Sequence, residues 1–122
     1  MQLRSAYGLA ALLLVAALGL EPFSAAAHAI VVAASPSPNE QVKAPDVPIL
    51  LRFNSRIDHE RSRISLRHAD GRTEIVRLEA SAPDSLAGKL QGLAPGNYHL
   101  RWQVLAVDGH ITRGNIPFAV VP

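Results

Sequence analysis

The sequence predicts an all-β domain, a seven-stranded antiparallel Greek-key β-sandwich of Ig-like type, preceded by a signal peptide. Three observations predict it. From residue 28 onward, short runs of alternating or branched apolar residues are separated by Pro, Gly, Asn and Asp at intervals of about ten residues, the pattern of short strands joined by turns. Nothing in that span reads as a long helix. The stretch LAPGNY, residues 93 to 98, places a tyrosine just after a Pro-Gly turn at the start of a late strand, which is how sandwich folds tie a corner.

The N-terminal segment defines where the domain starts. Met1 to Leu20 carries one charged side chain, Arg4, followed by the uncharged run from Ser5 to Leu20 with its apolar heart LAALLLVAALGL. These are the n-region and h-region of a signal peptide. A membrane anchor needs about 20 predominantly apolar residues. This run instead ends at Glu21 and Pro22, and FSAAA then supplies small residues for a peptidase. Ala25 and Ala27 stand three and one before His28, the A-x-A pattern, so a cut after Ala27 yields a signal peptide of residues 1–27 and a domain of residues 28–122 that begins with His28. A second A-x-A, Ala27-His28-Ala29, would place the cut after Ala29 and remove the histidine. The expected destination is outside the cytoplasm, with no membrane span left after cleavage.

Composition narrows the function. The 122-residue chain has a net charge of +2 and a pI near 9.5. Its basic residues, among them Arg52, Arg56, Arg61, Arg63, Arg67, Arg72 and Arg77, are interleaved with acids and apolar residues. They read as solvated strand faces and not as a nucleic-acid surface. There is no cysteine, although the destination is oxidising, so a hydrophobic core must hold the fold without disulfides. No internal repeat, low-complexity tract or second domain is visible.

The seven strands follow in order. AIVVAAS (29–35) is the first, ended by the turn-forming PSPNE. VPILLRF (47–53) is the second. SRISLRH (62–68) alternates, with Ile64 and Leu66 on one side and Arg63, Ser65 and Arg67 on the other, and the turn Ala69-Asp70-Gly71 returns it through RTEIVRLE (72–79) as a hairpin. DSLAGKLQGL (84–93) is weaker, because its two glycines suit a central strand poorly. NYHLRWQVLAV (97–107) is the longest, with Tyr98, Leu100, Trp102, Val104 and Ala106 on one face, so Tyr98 and Trp102 are core residues. NIPFAVV (115–121) closes the chain.

The candidate chemistry lies in VDGHITRG (107–114). Asp108 and His110 are two residues apart at the end of the long strand, a spacing that projects both side chains to one side of an extended chain. Alone, this D-x-H reads as a turn with an incidental histidine. A free N-terminal His28 strengthens it, since its α-amine and ring Nδ1 chelate one metal from a single residue. With a nitrogen from His110 and an oxygen from Asp108 the set is N3O, which in a square plane suits Cu(II); Ni(II) binds less tightly and Zn(II) prefers a tetrahedron. The predicted ligands are therefore His28, Asp108 and His110, holding one Cu(II) ion. The remaining histidines read otherwise: His59 lies in a charged, exposed turn, His68 is a hairpin residue, and His99 points away from the core.

These residues resemble a known family. The N-terminal histidine behind a signal peptide, SPSPNEQV, LRFNSRID and above all YHLRWQVLAVDGHITRGNIPFAV are similar to the periplasmic copper-resistance protein CopC family, over nearly all of the mature chain. The resemblance implies a seven-stranded Greek-key barrel or sandwich that carries or sequesters copper in copper resistance and homeostasis, beside an inner-membrane copper transporter of the CopD type. It also implies that the Cu(II) ligands are His28, Asp108 and His110. One departure stands out. Many members carry a methionine-rich Cu(I) loop, whereas the single methionine here is Met1, which leaves with the signal, so a Cu(II)-only member is expected. The expected protein is a monomeric carrier or buffer and not an enzyme. Two other readings compete: a histidine-brace copper oxidase or monooxygenase, against which stand the Asp108 ligand and the scarcity of aromatics, and a metal-free Ig-like interaction module.

Overall fold

Val47, Ile49, Leu51 and Phe53 are buried while Pro48, Leu50 and Arg52 between them are exposed, so the second predicted strand has one face in a core and one in water. The same period recurs along the chain, and a computed structural model describes residues 29–122 as nine strands without a helix. These are β1 (Val31–Ser35), β2 (Glu40–Lys43), β3 (Val47–Phe53), β4 (Ile57–Arg67), β5 (Thr73–Ile75), β6 (Leu78–Glu79), β7 (Ser85–Leu90), β8 (Gly96–Ala106) and β9 (Ile111–Val121). The expected signal peptide and His28 lie outside the described residues. Among the described residues no helix is long and apolar enough to cross a membrane.

The strands form two sheets, a four-stranded one in the order β1-β3-β7-β6 and a five-stranded one in the order β2-β9-β8-β4-β5. Their inner faces enclose one core. Leu51, Ile64, Leu66, Leu86, Leu100 and Val104 are fully buried in it, and Phe53 of one sheet meets Trp102 of the other edge to face at 5.2 Å. Tyr98 stacks on Phe118 at 5.6 Å and donates its hydroxyl to Ala94 O at 2.6 Å, the corner tie that LAPGNY predicts.

The all-β sandwich stands as expected, but the strand count is nine and not seven. Glu40–Lys43, expected within and after a turn, forms β2, which runs parallel to the end of β9. Asn39 has φ 65°, and its N–H donates to Pro117 O at 2.6 Å, which turns the chain onto that edge after only four residues of loop. A single apolar residue, Val42, in an edge strand leaves no alternation to read. The predicted return strand 72–79 is two strands: β5 stays with β4, while β6 crosses to pair with β7 in the other sheet. The crossing explains Gly88 in the middle of the glycine-bearing strand, because a Cβ there would lie 3.1 Å from Val76 Cγ1 and 3.2 Å from Arg77 O. β4 also starts earlier than expected, at Ile57, with a register irregularity between Asp58 and Arg63 that hides its first half from any period-two reading. β9 starts at Ile111 and not at residue 115, pairing with β8 from Leu105↔Ile111 to Gly96↔Val120.

Within that ladder Trp102 lies opposite Gly114, and a Cβ added to Gly114 would overlap the indole. The glycine is therefore a packing requirement in a strand where it otherwise weakens pairing. Gly114→Ala is expected to displace the ring and cost about 1–3 kcal/mol of stability. Denaturant unfolding followed by the emission of Trp102, the single tryptophan of the sequence, measures both effects.

Candidate metal centre

The β8–β9 hairpin reverses over Val107 to His110. The Ala106 N–H donates to His110 O and the Gly109 N–H to Ala106 O, each at 2.9 Å, and Gly109 takes φ 89°, a conformation open to glycine at little cost. Asp108 organises the turn from within. Its Oδ1 accepts the His110 N–H at 3.0 Å, an aspartate-capped turn, and its Oδ2 lies 3.0 Å from His110 Nδ1. The predicted pair is thus brought together on one side of the hairpin. The His110 side chain is 53% exposed and that of Asp108 28%, so the pair opens to solvent. The 3.0 Å between Nδ1 and Oδ2 is a hydrogen-bond distance, and it holds the two side chains together at the turn.

His28 lies outside the described residues, but the residues that follow it, Ala29 and Ile30, do not. Ala29 is 2% exposed, and its carbonyl accepts a hydrogen bond from Thr112 Oγ1 at 2.9 Å. Thr112 is two residues beyond His110. Ile30 is held by Asn54 on both sides, its N–H donating to Asn54 Oδ1 at 2.8 Å and its carbonyl accepting from the Asn54 N–H at 3.0 Å. Residues 29 and 30 are thereby fastened beside the start of β9. Thr112 and Asn54 were not singled out in the sequence, because a lone threonine or asparagine near a strand end carries no signal of a distant partner. Among the described residues no group of three or more His, Cys, Asp or Glu gathers as a metal site.

The other histidines have structural roles. His59, expected in an exposed turn, is part of β4, and its Nε2 is within hydrogen-bonding distance of Ser85 O (2.8 Å), Ala82 O (3.1 Å) and Ser81 Oγ (3.3 Å). It ties the irregular start of β4 to the segment before β7, and the charged residues around it concealed that. His68 sits over the edge of the Tyr98 ring at 5.3 Å, with Nε2 3.2 Å from Glu74 Oε1 and Nδ1 accepting from Arg72 at 3.3 Å. His99 is exposed on the face opposite the core, as its place in the alternation predicts, with the Asn115 amide beside Nδ1.

Comparison with known proteins places this fold. The CopC domain matches residues 31–121. Protein YobA of Escherichia coli (strain K12) is 30% identical over 98 residues, 77% of this chain and 79% of YobA. Copper transport protein CutJ of Bacillus subtilis (strain 168) is 25% identical over 103 residues, which are 81% of this chain but 19% of CutJ, so the chain spans a minor part of that protein's length. Among solved structures, CopC from Methylosinus trichosporium OB3b shares 33% identity and a TM-score of 0.70, over 78% of this chain and 95% of that one. PcoC, a methionine-rich copper resistance protein from Escherichia coli, shares the fold at 23% identity and a TM-score of 0.63, over 78% of this chain and 100% of its own. A domain match that runs from the first strand to the last, on a β-sandwich held in common with solved CopC and PcoC, makes this chain a member of the CopC domain family.

Proposed function

We propose that the protein is a periplasmic carrier or buffer of one Cu(II) ion, bound by the α-amine and ring of a processed N-terminal His28, the Asp108 carboxylate and the His110 ring. The observation that carries the reading is the juxtaposition at the β8–β9 hairpin. Asp108 and His110 lie 3.0 Å apart, and two residues on, Thr112 holds the carbonyl of Ala29, the residue bonded to His28. Thr112 thereby ties the residue that follows His28 to the strand that His110 leads into, which supports a processed His28 as the further ligand residue. Copper is favoured over zinc because amine, two imidazoles and a carboxylate satisfy a tetragonal N3O set. The oxidation state follows from the same chemistry: residues 28–122 contain neither Cys nor Met, hence no soft sulfur ligand for Cu(I).

Chelation by a terminal amine makes binding depend on processing and on protons. The amine has a reference pKa of about 7.7 to 8.0 and must be deprotonated to ligate. A ligand set in an exposed turn also allows a partner to compete for the ion, and the partner class is an inner-membrane copper transporter of the CopD type. The protein acts as a monomer and performs no reaction on the metal. With Asp108 as an equatorial ligand, the position at which a histidine-brace oxygenase binds O2 is filled.

The processed protein is expected to begin at His28 and to take up one copper, which intact mass with and without one equivalent of Cu(II) reads directly. His28→Ala is expected to weaken Cu(II) binding by more than about 100-fold, beyond the loss typical of a residue that only supports a ligand, with the β-sheet circular dichroism unchanged. Unchanged affinity in that variant overturns the assignment. One extra residue ahead of His28 removes the free-amine chelate without altering any side chain, and a competition titration should show a comparable loss. His110→Ala is expected to lower affinity as well, whereas His99→Ala, at the exposed and distant site, should leave it unaltered.

A further inference from the structure

We propose that the outer face of the five-stranded sheet is a docking surface for an anionic phospholipid bilayer. The register of β9, β8 and β4 sets its residues in cross-strand rows: Arg113, Gln103 and Arg63, then Asn115, Arg101 and Ser65, then Pro117, His99 and Arg67. All of these alternate with buried or half-buried residues and so share the face turned away from the core. Four guanidiniums thus stand on three adjacent strands, within a patch about 13 Å long and about 10 Å wide. Lys43 extends the charge at the β2 edge, in register with Val121.

The charge is uncompensated. Among the described residues none of Arg63, Arg67, Arg101 and Arg113 is ion-paired; the pairs are Arg61–Asp58, His68–Glu74, Lys89–Asp46 and His110–Asp108. The register puts one carboxylate on this face, Asp58 opposite Leu105, at the end nearest the hairpin turn, and it is engaged by Arg61. Gln103 Oε1 accepts from Arg113 Nε at 2.8 Å and from Arg63 Nη2 at 3.4 Å, so one neutral oxygen holds two guanidiniums side by side. Holding like charges together is unfavourable unless an external anion screens them. The opposite outer face lacks this character: there Arg52 stands among Pro48, Leu50 and Ala87, and Lys89 is paired with Asp46.

Shape selects the partner. A protein interface needs a buried apolar centre ringed by polar groups, whereas the centre of this patch is Arg101, Gln103 and Arg113 over a shallow depression of about 210 Å³. An anionic bilayer requires no shape complementarity. It attracts each nearby Lys or Arg by about 1 kcal/mol, falling off within a Debye length. Arginine forks also bind phosphate groups in a bidentate manner. Contact through this face would lay the sheet along the membrane, with the hairpin turn about 10 Å along β9 from Arg113. Nothing in the inference involves copper, so it stands or falls apart from the copper reading.

The test is co-sedimentation of the metal-free processed protein with vesicles of phosphatidylcholine alone and of phosphatidylcholine with phosphatidylglycerol. Binding is expected only with phosphatidylglycerol and is expected to disappear when ionic strength is raised to about 1 M, where screening acts within about 3 Å. Arg101→Gln with Arg113→Gln should weaken it by about 25-fold, about fivefold for each charge lost. Arg52→Gln, on the opposite face, should change it by less than twofold. Equal losses in the two faces' variants would mean a net-charge effect and overturn the surface assignment. Absence of binding to anionic vesicles overturns it too, as would binding of a poly-glutamate peptide by a protein that ignores them.

Discussion

The antiparallel ladder between β8 and β9 is the constraint on which the rest of the structure depends. It runs from Gly96↔Val120 to Leu105↔Ile111 without a register shift, and its inner positions, among them Tyr98, Leu100, Val104, Ile116 and Phe118, supply more than a third of the core. Period-two geometry commits every second residue of both strands to that core. A slip by one residue would expose all of them. The hairpin turn can therefore sit in one place only, and with it Asp108 and His110, whose side-chain pairing is a consequence of where the ladder ends.

Sequence legibility followed the same physics. Strands with a clean alternation, β3 and β8, match the sequence reading closely, whereas the weaker glycine-bearing segment 84–93 forms the shorter β7 inside its sheet; the tyrosine corner is legible because Tyr98 has a buried ring and a hydroxyl that reaches Ala94. β2 was missed because an edge strand with one apolar residue buries too little to need a pattern. The start of β4 was missed because the irregularity between Asp58 and Arg63 breaks the period, and the sheet switch at Val76 and Arg77 left no mark beyond Gly88. Local rules describe a strand on one sheet; they are silent on which sheet the next residue joins.

The candidate site divides in a similar way. Asp108 and His110 were visible because they are close in sequence and flank a glycine in a turn. The attachment of the N-terminal edge was not, since it consists of Thr112 to Ala29 and Asn54 to Ile30, contacts across distant parts of the chain by residue types that occur everywhere on surfaces. The cationic face was hidden for another reason. Along the chain its arginines alternate with apolar residues and read as ordinary solvated positions, and only the cross-strand register collects Arg63, Arg101 and Arg113 into one place.

The clamp on Ala29 and Ile30 has a consequence for how the protein matures. Hydrogen bonds fix the backbone at two successive residues, so under the proposed cleavage the end of the processed chain is attached at a set place on the sheets. A cut after Ala27 leaves one residue beyond the clamp, and a cut after Ala29 leaves none and removes part of the clamp itself. On the proposed reading, assembly of the copper site and the choice of cleavage position are a single event, with an enzyme outside the domain completing what the fold has measured out.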